Sequence, residues 1–401
     1  MKKLLYFTFI LILAGCGPKK ATQFSALVNP FIGTSGHGHT YPGATLPFGM
    51  VQLSPDTRKD SWDGCSGYHY SDSSILGFSH THLSGTGVGD YGDIRLMPMT
   101  GSVKIRPGQA EIPGSGYASR FSHEDEQATP GYYKVMLDDY KVTAELTATK
   151  RCGFHQYTFP ASDHSIILID LKESVVSEKN LELYIEIVND HEICGYRKSS
   201  GWAEHQVVYF DAQFSRPFEE SGIFSSGEIV KGVNTARGDD LQAFTKFKTH
   251  SKEKILVKVG ISPVSIEGAR LNLQTEIEDW DFDRIKSQAE KTWESELGKI
   301  IVEGGTKEDK VKFYTALYHA FLAPNIFTDV DGQYRGNDGQ VHHADGFNVY
   351  TVFSLWDTYR ALHPLLSFLQ PERTVDFIND YAILHNAIFV YFLGRAFGKF
   401  L

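Results

Sequence analysis

The sequence predicts a multidomain fold of α and β type, an N-terminal antiparallel β-sandwich followed by a helical domain. Three observations predict it. From about residue 28 to about residue 264 the apolar runs are short and often alternate with polar residues, and clusters of Gly, Asn, Asp, Ser and Pro separate them. That is the pattern of many short strands joined by turns. After it the period becomes helical: Phe282, Ile285, Ala289, Trp293 and Leu297 stand three or four apart and form one apolar stripe. At 401 residues with 41% hydrophobic content, the chain is long enough for two globular domains.

The elements follow in order. Lys2 and Lys3 precede an apolar core over residues 4–13, too short to span a membrane as a mature helix and typical of a secretory segment. Leu13-Ala14-Gly15-Cys16 resembles the bacterial lipobox, which implies a signal segment over 1–16, lipidation of Cys16, and an exported lipoprotein of the periplasm or the outer-membrane surface, attached to the membrane by its lipid anchor only. The sandwich domain is expected over 24–275, with strands such as Tyr132-Tyr133-Lys134-Val135-Met136-Leu137, residues 164–169 and residues 181–187. A linker helix is expected over 276–300, and a helical domain over 301–401. In the latter, Val311, Tyr314, Tyr318 and Phe321 repeat the helical period, as do Leu355, Tyr359, Leu362, Leu366 and Leu369. Pro364 must kink that last helix or sit in its first turn. Between these stripes, residues 327–348 carry Asp331-Gly332 and Asp338-Gly339 turns and read as a small hairpin or a long loop.

Composition excludes two classes. A net charge of -10 without a long basic run argues against a nucleic-acid partner, whose phosphates need clustered Lys and Arg. A mean hydropathy of -0.25 excludes a multispanning membrane protein. Besides Cys16, the cysteines are Cys65, Cys152 and Cys194, an odd number that permits at most one disulfide among them in an oxidising compartment.

The richest stretch for function is 29–93, where glycines crowd beside paired histidines and aromatics, a composition suited to loops shaped around a ligand. It contains Asn29-Pro30-Phe31-Ile32-Gly33-Thr34, His37-Gly38-His39-Thr40-Tyr41-Pro42-Gly43-Ala44, Pro47-Phe48-Gly49-Met50, Gly67-Tyr68-His69-Tyr70 and Gly77-Phe78-Ser79-His80-Thr81-His82-Leu83-Ser84-Gly85-Thr86-Gly87. With Ser354-Leu355-Trp356-Asp357-Thr358-Tyr359-Arg360, these motifs resemble glycoside hydrolase family 92 over residues 28–379. The resemblance implies a calcium-dependent, inverting exo-α-mannosidase acting on mannose-containing glycans such as N-glycans or mannan. It also implies a β-sandwich meeting an (α/α)6 barrel at the active site.

Inverting hydrolysis needs one carboxylic acid to protonate the departing oxygen and one carboxylate to activate water on the opposite face. A calcium ion would take oxygen ligands, sugar hydroxyls among them, and orient the terminal sugar. Asp357 is the carboxylate singled out as a ligand of that sugar, with Trp356 offering an apolar face; the alternative is a helix cap or a first-turn acid. Arg360 is placed to clamp Asp357. From the sandwich side the candidates are Trp62 and His80 or His82, which on one strand would face the same way. Hydrogen bonding to sugar or to loop backbone is expected of these histidines rather than transition-metal binding, and the same holds for His37 and His39. Asn189, in the Asn189-Asp190-His191-Glu192 turn, is the candidate calcium contact. The glycines of 85–92 lack the ending of a phosphate loop.

An (α/α)6 barrel needs about twelve helices, and the stripes before the chain stops provide about four. The resemblance places the general acid and base in the later helical half, so neither is assigned to a residue here. The expectation is a truncated barrel that does not hydrolyse mannosides. The alternative from another class is a surface lipoprotein that only binds glycans.

Overall fold

The computed structural model describes residues 23–383 except 109–111 and 113. Cys16, the lipobox and the aromatic-rich stretch beyond residue 383 lie outside the described residues.

Two antiparallel sheets form the N-terminal part. The first has eight strands in the order 44–45, 52–56, 77–79, 95–100, 162–170, 241–249, 220–225 and 228–230. The second has nine, in the order 235–238, 179–189, 192–200, 206–214, 253–262, 152–159, 142–148, 132–137 and 127–129. Their inner faces share one apolar core that includes Phe78, Leu96, Ile167, Ile185, Phe210 and Val257. Alternation decides which side chains face it. In the strand Lys179–Asn189, Leu183, Ile185 and Ile187 are buried while Tyr184 and Glu186 are only partly so. In the strand Ser162–Asp170, Ile166 to Ile169 are all buried, as expected of a strand covered on both faces.

Among the described residues six helical segments follow: α1 (Ile266–Glu276), α2 (Phe282–Leu297), α3 (Lys307–Ala320), α4 (Leu355–Thr358), α5 (Leu362–Leu369) and α6 (371–383). The buried residues of α2 are Phe282, Ile285, Ala289, Trp293 and Leu297, the stripe read from the sequence. That stripe lies on the sandwich. The indole Nε1 of Trp293 donates to the Thr45 carbonyl at 2.8 Å, and Gly131, at φ +81°, lets Ala289 come so near that a Cβ there would meet the Ala289 Cβ at 2.8 Å.

Two helical expectations are corrected. Helical structure after the strands begins at Ile266, before residue 276 and inside the stretch read as sandwich, because α1 packs on the strands 253–262 and 206–214. The apolar repeat from Leu355 to Leu369 is broken into α4 and α5. Pro364 stands in the first turn of α5, where a missing N–H is harmless. The 327–348 segment contains a hairpin that pairs 333–335 with 341–343, and Gly332 and Gly339 occupy its positive-φ turn positions. Cys65, Cys152 and Cys194 are buried free thiols.

Sandwich and helices are stitched through Phe48, whose N–H donates to the Phe321 carbonyl at 2.8 Å and whose carbonyl accepts from the Ile326 N–H at 2.9 Å. Arg373 of α6 lies over the Phe48 ring at 4.2 Å. The start of the 29–93 run is fixed in the same way, the Asn29 N–H donating to Thr315 Oγ1 of α3 at 3.0 Å.

Candidate functional site

The glycine-rich run folds into loops at one end of the sandwich, and Trp62 is their exposed centre. The indole is 58% exposed although its neighbours are aromatic. The His39 ring meets it edge-on at 4.5 Å and the His37 ring lies 5.0 Å away. His37 Nδ1 pairs with Asp63 Oδ1 at 2.5 Å, and that hydrogen bond holds the Asp63 carboxyl below its ordinary range. His39 is buried, and its Nε2 has no hydrogen-bond partner among the described residues. Gly33, at φ +91°, closes the 33–40 loop so tightly that a Cβ would stand 2.9 Å from Thr40 Oγ1. Gly87 borders the other side of the indole, a Cβ there lying 3.5 Å from Trp62 Nε1. The result is an aromatic face with imidazole donors and acceptors at its rim, the arrangement that suits a pyranose with its apolar C–H face and its hydroxyl edge.

His80 and His82 are not part of this rim. Both are buried in the sandwich with both ring nitrogens engaged. His80 bonds the Ile94 carbonyl through Nδ1 at 2.7 Å and faces His155 Nε2 at 3.0 Å through Nε2. Burial pushes His80 down to about 4 and His155 well below the usual histidine range, so the pair is neutral. His82 bonds the Gln52 carbonyl at 2.7 Å and Asp56 Oδ1 at 2.9 Å. Burial alone would raise Asp56, but Arg95 and His82 outweigh it and hold the carboxyl below its ordinary range. The ring nitrogens of both histidines are thus engaged within the sandwich.

On the helical side, Trp356 is 87% exposed. Asp357 sits in the first turn of α4, its Oδ2 accepting from Ser354 Oγ at 2.6 Å, which matches the first-turn reading of this acid. Arg360 does not clamp it; its Nε donates to the Tyr359 hydroxyl at 2.9 Å. No hydrogen bond or ring contact joins Trp356 or Asp357 to the Trp62 cluster among the described residues. The two sides meet one step back, where Tyr91 and Thr351 line the same cavity. Sequence reasoning missed Tyr91. Its signal is the Asp90-Tyr91-Gly92 turn, in which Tyr91 adopts φ 71°.

Below Tyr91 a buried ionic network fixes the loop. Asp93 accepts from Arg197 Nη1 at 2.6 Å, Thr81 Oγ1 at 2.7 Å and Gln206 Nε2 at 2.5 Å. Arg197 also reaches Glu178 at 3.1 Å. Burial pushes the Glu178 carboxyl up to about 8 against the pull of Arg197, with Asp93 and Asp90 adding to the rise. Asp90 receives the Ala203 N–H at 2.9 Å, tying loop 85–91 to loop 201–205.

Asn189 is exposed in the turn between the strands 179–189 and 192–200, and its Oδ1 accepts from the His191 N–H at 2.8 Å. Its neighbour Glu192 is committed to Arg270 at 2.6 Å. No group of three or more His, Cys, Asp or Glu placed to hold a metal occurs among the described residues.

The glycosyl hydrolase family 92 N-terminal domain matches residues 27–262, and the family's catalytic domain matches residues 268–385. The chain belongs to glycosyl hydrolase family 92. The chain is similar to a solved family GH92 alpha-mannosidase of Bacteroides thetaiotaomicron, with 42% identity and a TM-score of 0.87 over 90% of this chain and 49% of that one. That alpha-mannosidase has also been solved in complex with mannoimidazole. A family GH92 inverting mannosidase from Bacteroides thetaiotaomicron VPI-5482 is 30% identical, with a TM-score of 0.78 over 91% of this chain and 49% of that one. A protein of Arthroderma benhamiae described as an uncharacterized secreted glycosidase is 24% identical over 83% of this chain and 45% of its own length. The chain thus spans about half the length of these relatives.

Proposed function

We propose that this chain is the sugar-holding part of an exo-α-mannosidase that removes terminal α-linked mannose from glycans with inversion. The observation that carries the reading is the exposed Trp62 face with His37 and His39 at its edge, in a chain of this family. In this reading Trp62 stacks on the apolar face of the terminal sugar and His39 Nε2 bonds one of its hydroxyls. Asp357 accepts a second hydroxyl through the carboxylate oxygen that Ser354 leaves free, and Trp356 lends a further apolar surface. The proton transfers fall to groups other than these four. Calcium, implied by the family, would orient the terminal sugar through its hydroxyls. Lipidation at Cys16 and attachment to a bacterial membrane by that lipid, in the periplasm or at the outer-membrane surface, belong to the same proposal.

The test is calorimetric titration of the 401-residue chain with methyl α-mannoside and methyl α-glucoside, with mannose release from α-mannobioses followed in parallel. The reading predicts binding that prefers the mannoside, without release. Equal affinity for the two epimers, or no binding of either, overturns it. Mannose release would place the acid and base within these 401 residues and contradict the division of roles proposed here.

A further inference from the structure

Gln23 stands seven residues beyond Cys16, so a tether between their Cα atoms spans at most about 24 Å even when fully extended. We propose that the end of the molecule formed by α2, α3 and the strands 44–45 and 127–129 is a membrane-facing surface, held by that tether against the leaflet that carries the lipid. The Trp62 rim then lies in the half of the sandwich nearer the leaflet. This rests on the lipidation read at Cys16 and adds which face the lipid brings to the bilayer.

Three observations carry it. The first is the exit of the chain. Gln23 Nε2 donates to Glu290 Oε1 at 2.6 Å, the Phe24 N–H to Glu294 Oε2 at 2.9 Å and the Ser25 N–H to Glu294 Oε1 at 2.6 Å. The Phe24 ring packs on Tyr314 of α3 with centroids 5.4 Å apart. The residues that follow the tether are thus pinned along α2. A small cavity of about 220 Å³ lined by Gln23, Lys286, Gln127 and Thr129 places the same point at the strand 127–129.

The second is the place of α2 in the sheet order. Trp293 bonds the strand 44–45, and Ala289 meets Gly131, beside the strand 127–129. Those strands are the first of the eight and the last of the nine. The opposite ends, 228–230 and 235–238, stand seven and eight strand spacings away, about 34 and 38 Å across the sheets. Turning those ends to the leaflet would lift Gln23 about 34 Å or more above it, beyond the roughly 24 Å that the tether allows. The strand 52–56, which leads into Trp62, is second in its sheet, so the rim belongs to the near half.

The third is the chemistry of the surface. Lys19 and Lys20 lie in the tether, and lysines beside a lipid anchor are drawn to anionic headgroups. Ile301, between α2 and α3, is 70% exposed, and exposed Lys299 and Lys307 flank it. The Tyr314 hydroxyl donates to the Ile300 carbonyl at 3.0 Å and accepts from the Val302 N–H at 3.3 Å, which sets Ile301 beside the Phe24 contact. An apolar side chain among lysines suits the boundary between headgroups and acyl chains.

The test is energy transfer in vesicles. The full chain, processed in a lipidating bacterial host, is reconstituted into phosphatidylethanolamine–phosphatidylglycerol vesicles that carry a rhodamine headgroup lipid, with a fluorophore on Ile301→Cys or Ile229→Cys. Both side chains are exposed, and Cys65, Cys152 and Cys194 are buried, so labelling of the folded chain goes to the introduced thiol. Transfer should be several-fold stronger from position 301 than from position 229. Inserting about twenty Gly and Ser residues after Ala21 raises the maximum reach to about 90 Å and should remove most of that difference. Equal transfer, stronger transfer from position 229, or a difference that the insertion leaves intact overturns the inference. The intact mass of the same preparation separates the two readings. An acylated chain with equal transfer refutes this surface alone, whereas an unacylated Cys16 removes the lipidation reading and this inference with it. Should a label disturb folding, as a thermal melt would reveal, Lys299→Cys and Glu228→Cys mark the same two ends.

Discussion

Asp56 illustrates how a few polar residues fix the interior beneath the loops. It is buried with Arg95 Nε at 2.8 Å and His82 Nε2 at 2.9 Å, and Ser79 Oγ donates to it at 2.7 Å. Replacing it with Ala would leave a buried guanidinium without its anion, so Asp56→Ala should cost about 3–5 kcal/mol in a urea melt at pH 7. Because its folded pKa lies below the unfolded value, its stabilisation is present above the unfolded pKa and is lost as pH falls through the folded one. The wild-type chain should therefore lose its advantage over Asp56→Ala in acid, and a gap independent of pH would contradict the assignment. The same residues mark the limit of reading a site from sequence. His80 and His82 share the run with Trp62, and nothing local separates a rim histidine from a buried one. Burial was decided by partners far along the chain, His155 and Asp56, which no spacing in the run announces.

Elements were legible where one period dominates. The stripe of α2 survives into the structure residue for residue, since a helix of that length must bury a single face. Helix α1 was not legible because its buried set is Ala269, Asn272 and Leu273, and a buried Asn breaks the apolar pattern. That Asn has a partner: Asn272 Nδ2 donates to Asp329 Oδ1 at 2.7 Å, and Ser262 Oγ to Asp329 Oδ2 at 2.6 Å. Asp329 thereby clamps the segment leading into the hairpin to α1 and the sandwich. Burial pushes its carboxyl from 3.8 up to about 6. Between these values the folded state holds a proton that the unfolded state has released, so the contribution of Asp329 to stability falls as pH rises from about 4 to about 6. Relative to Asp329→Asn, the wild-type chain should lose about 2–3 kcal/mol between pH 4 and pH 7. Paired urea melts of the two proteins at those pH values measure it, and a gap that stays constant or widens with pH would refute the ionisation assigned here.

At the scale of the whole molecule, the last helices among the described residues leave a run of apolar side chains exposed. Phe368 is 82% exposed, and Leu355, Trp356, Tyr359, Val375 and Ile378 are exposed over α4, α5 and α6. Apolar surface of this kind favours association. Phe368→Glu should reduce self-association in analytical ultracentrifugation at tens of micromolar and shift the melting temperature by only about one degree, since an exposed side chain contributes little to folding. Unchanged association would show that these residues are not the adhesive surface. The family, the sandwich and the switch to helices were all readable from ordered motifs and period, whereas the cavity that Tyr91 and Thr351 both line arises only when the two parts meet. The central claim is that the exposed Trp62 holds the terminal sugar, and calorimetric titration of Trp62→Ala with methyl α-mannoside tests it most directly. The account predicts at least about tenfold weaker binding, the worth of one aromatic contact, with a melting temperature close to that of the wild-type chain. An affinity unchanged in a folded Trp62→Ala variant would contradict it.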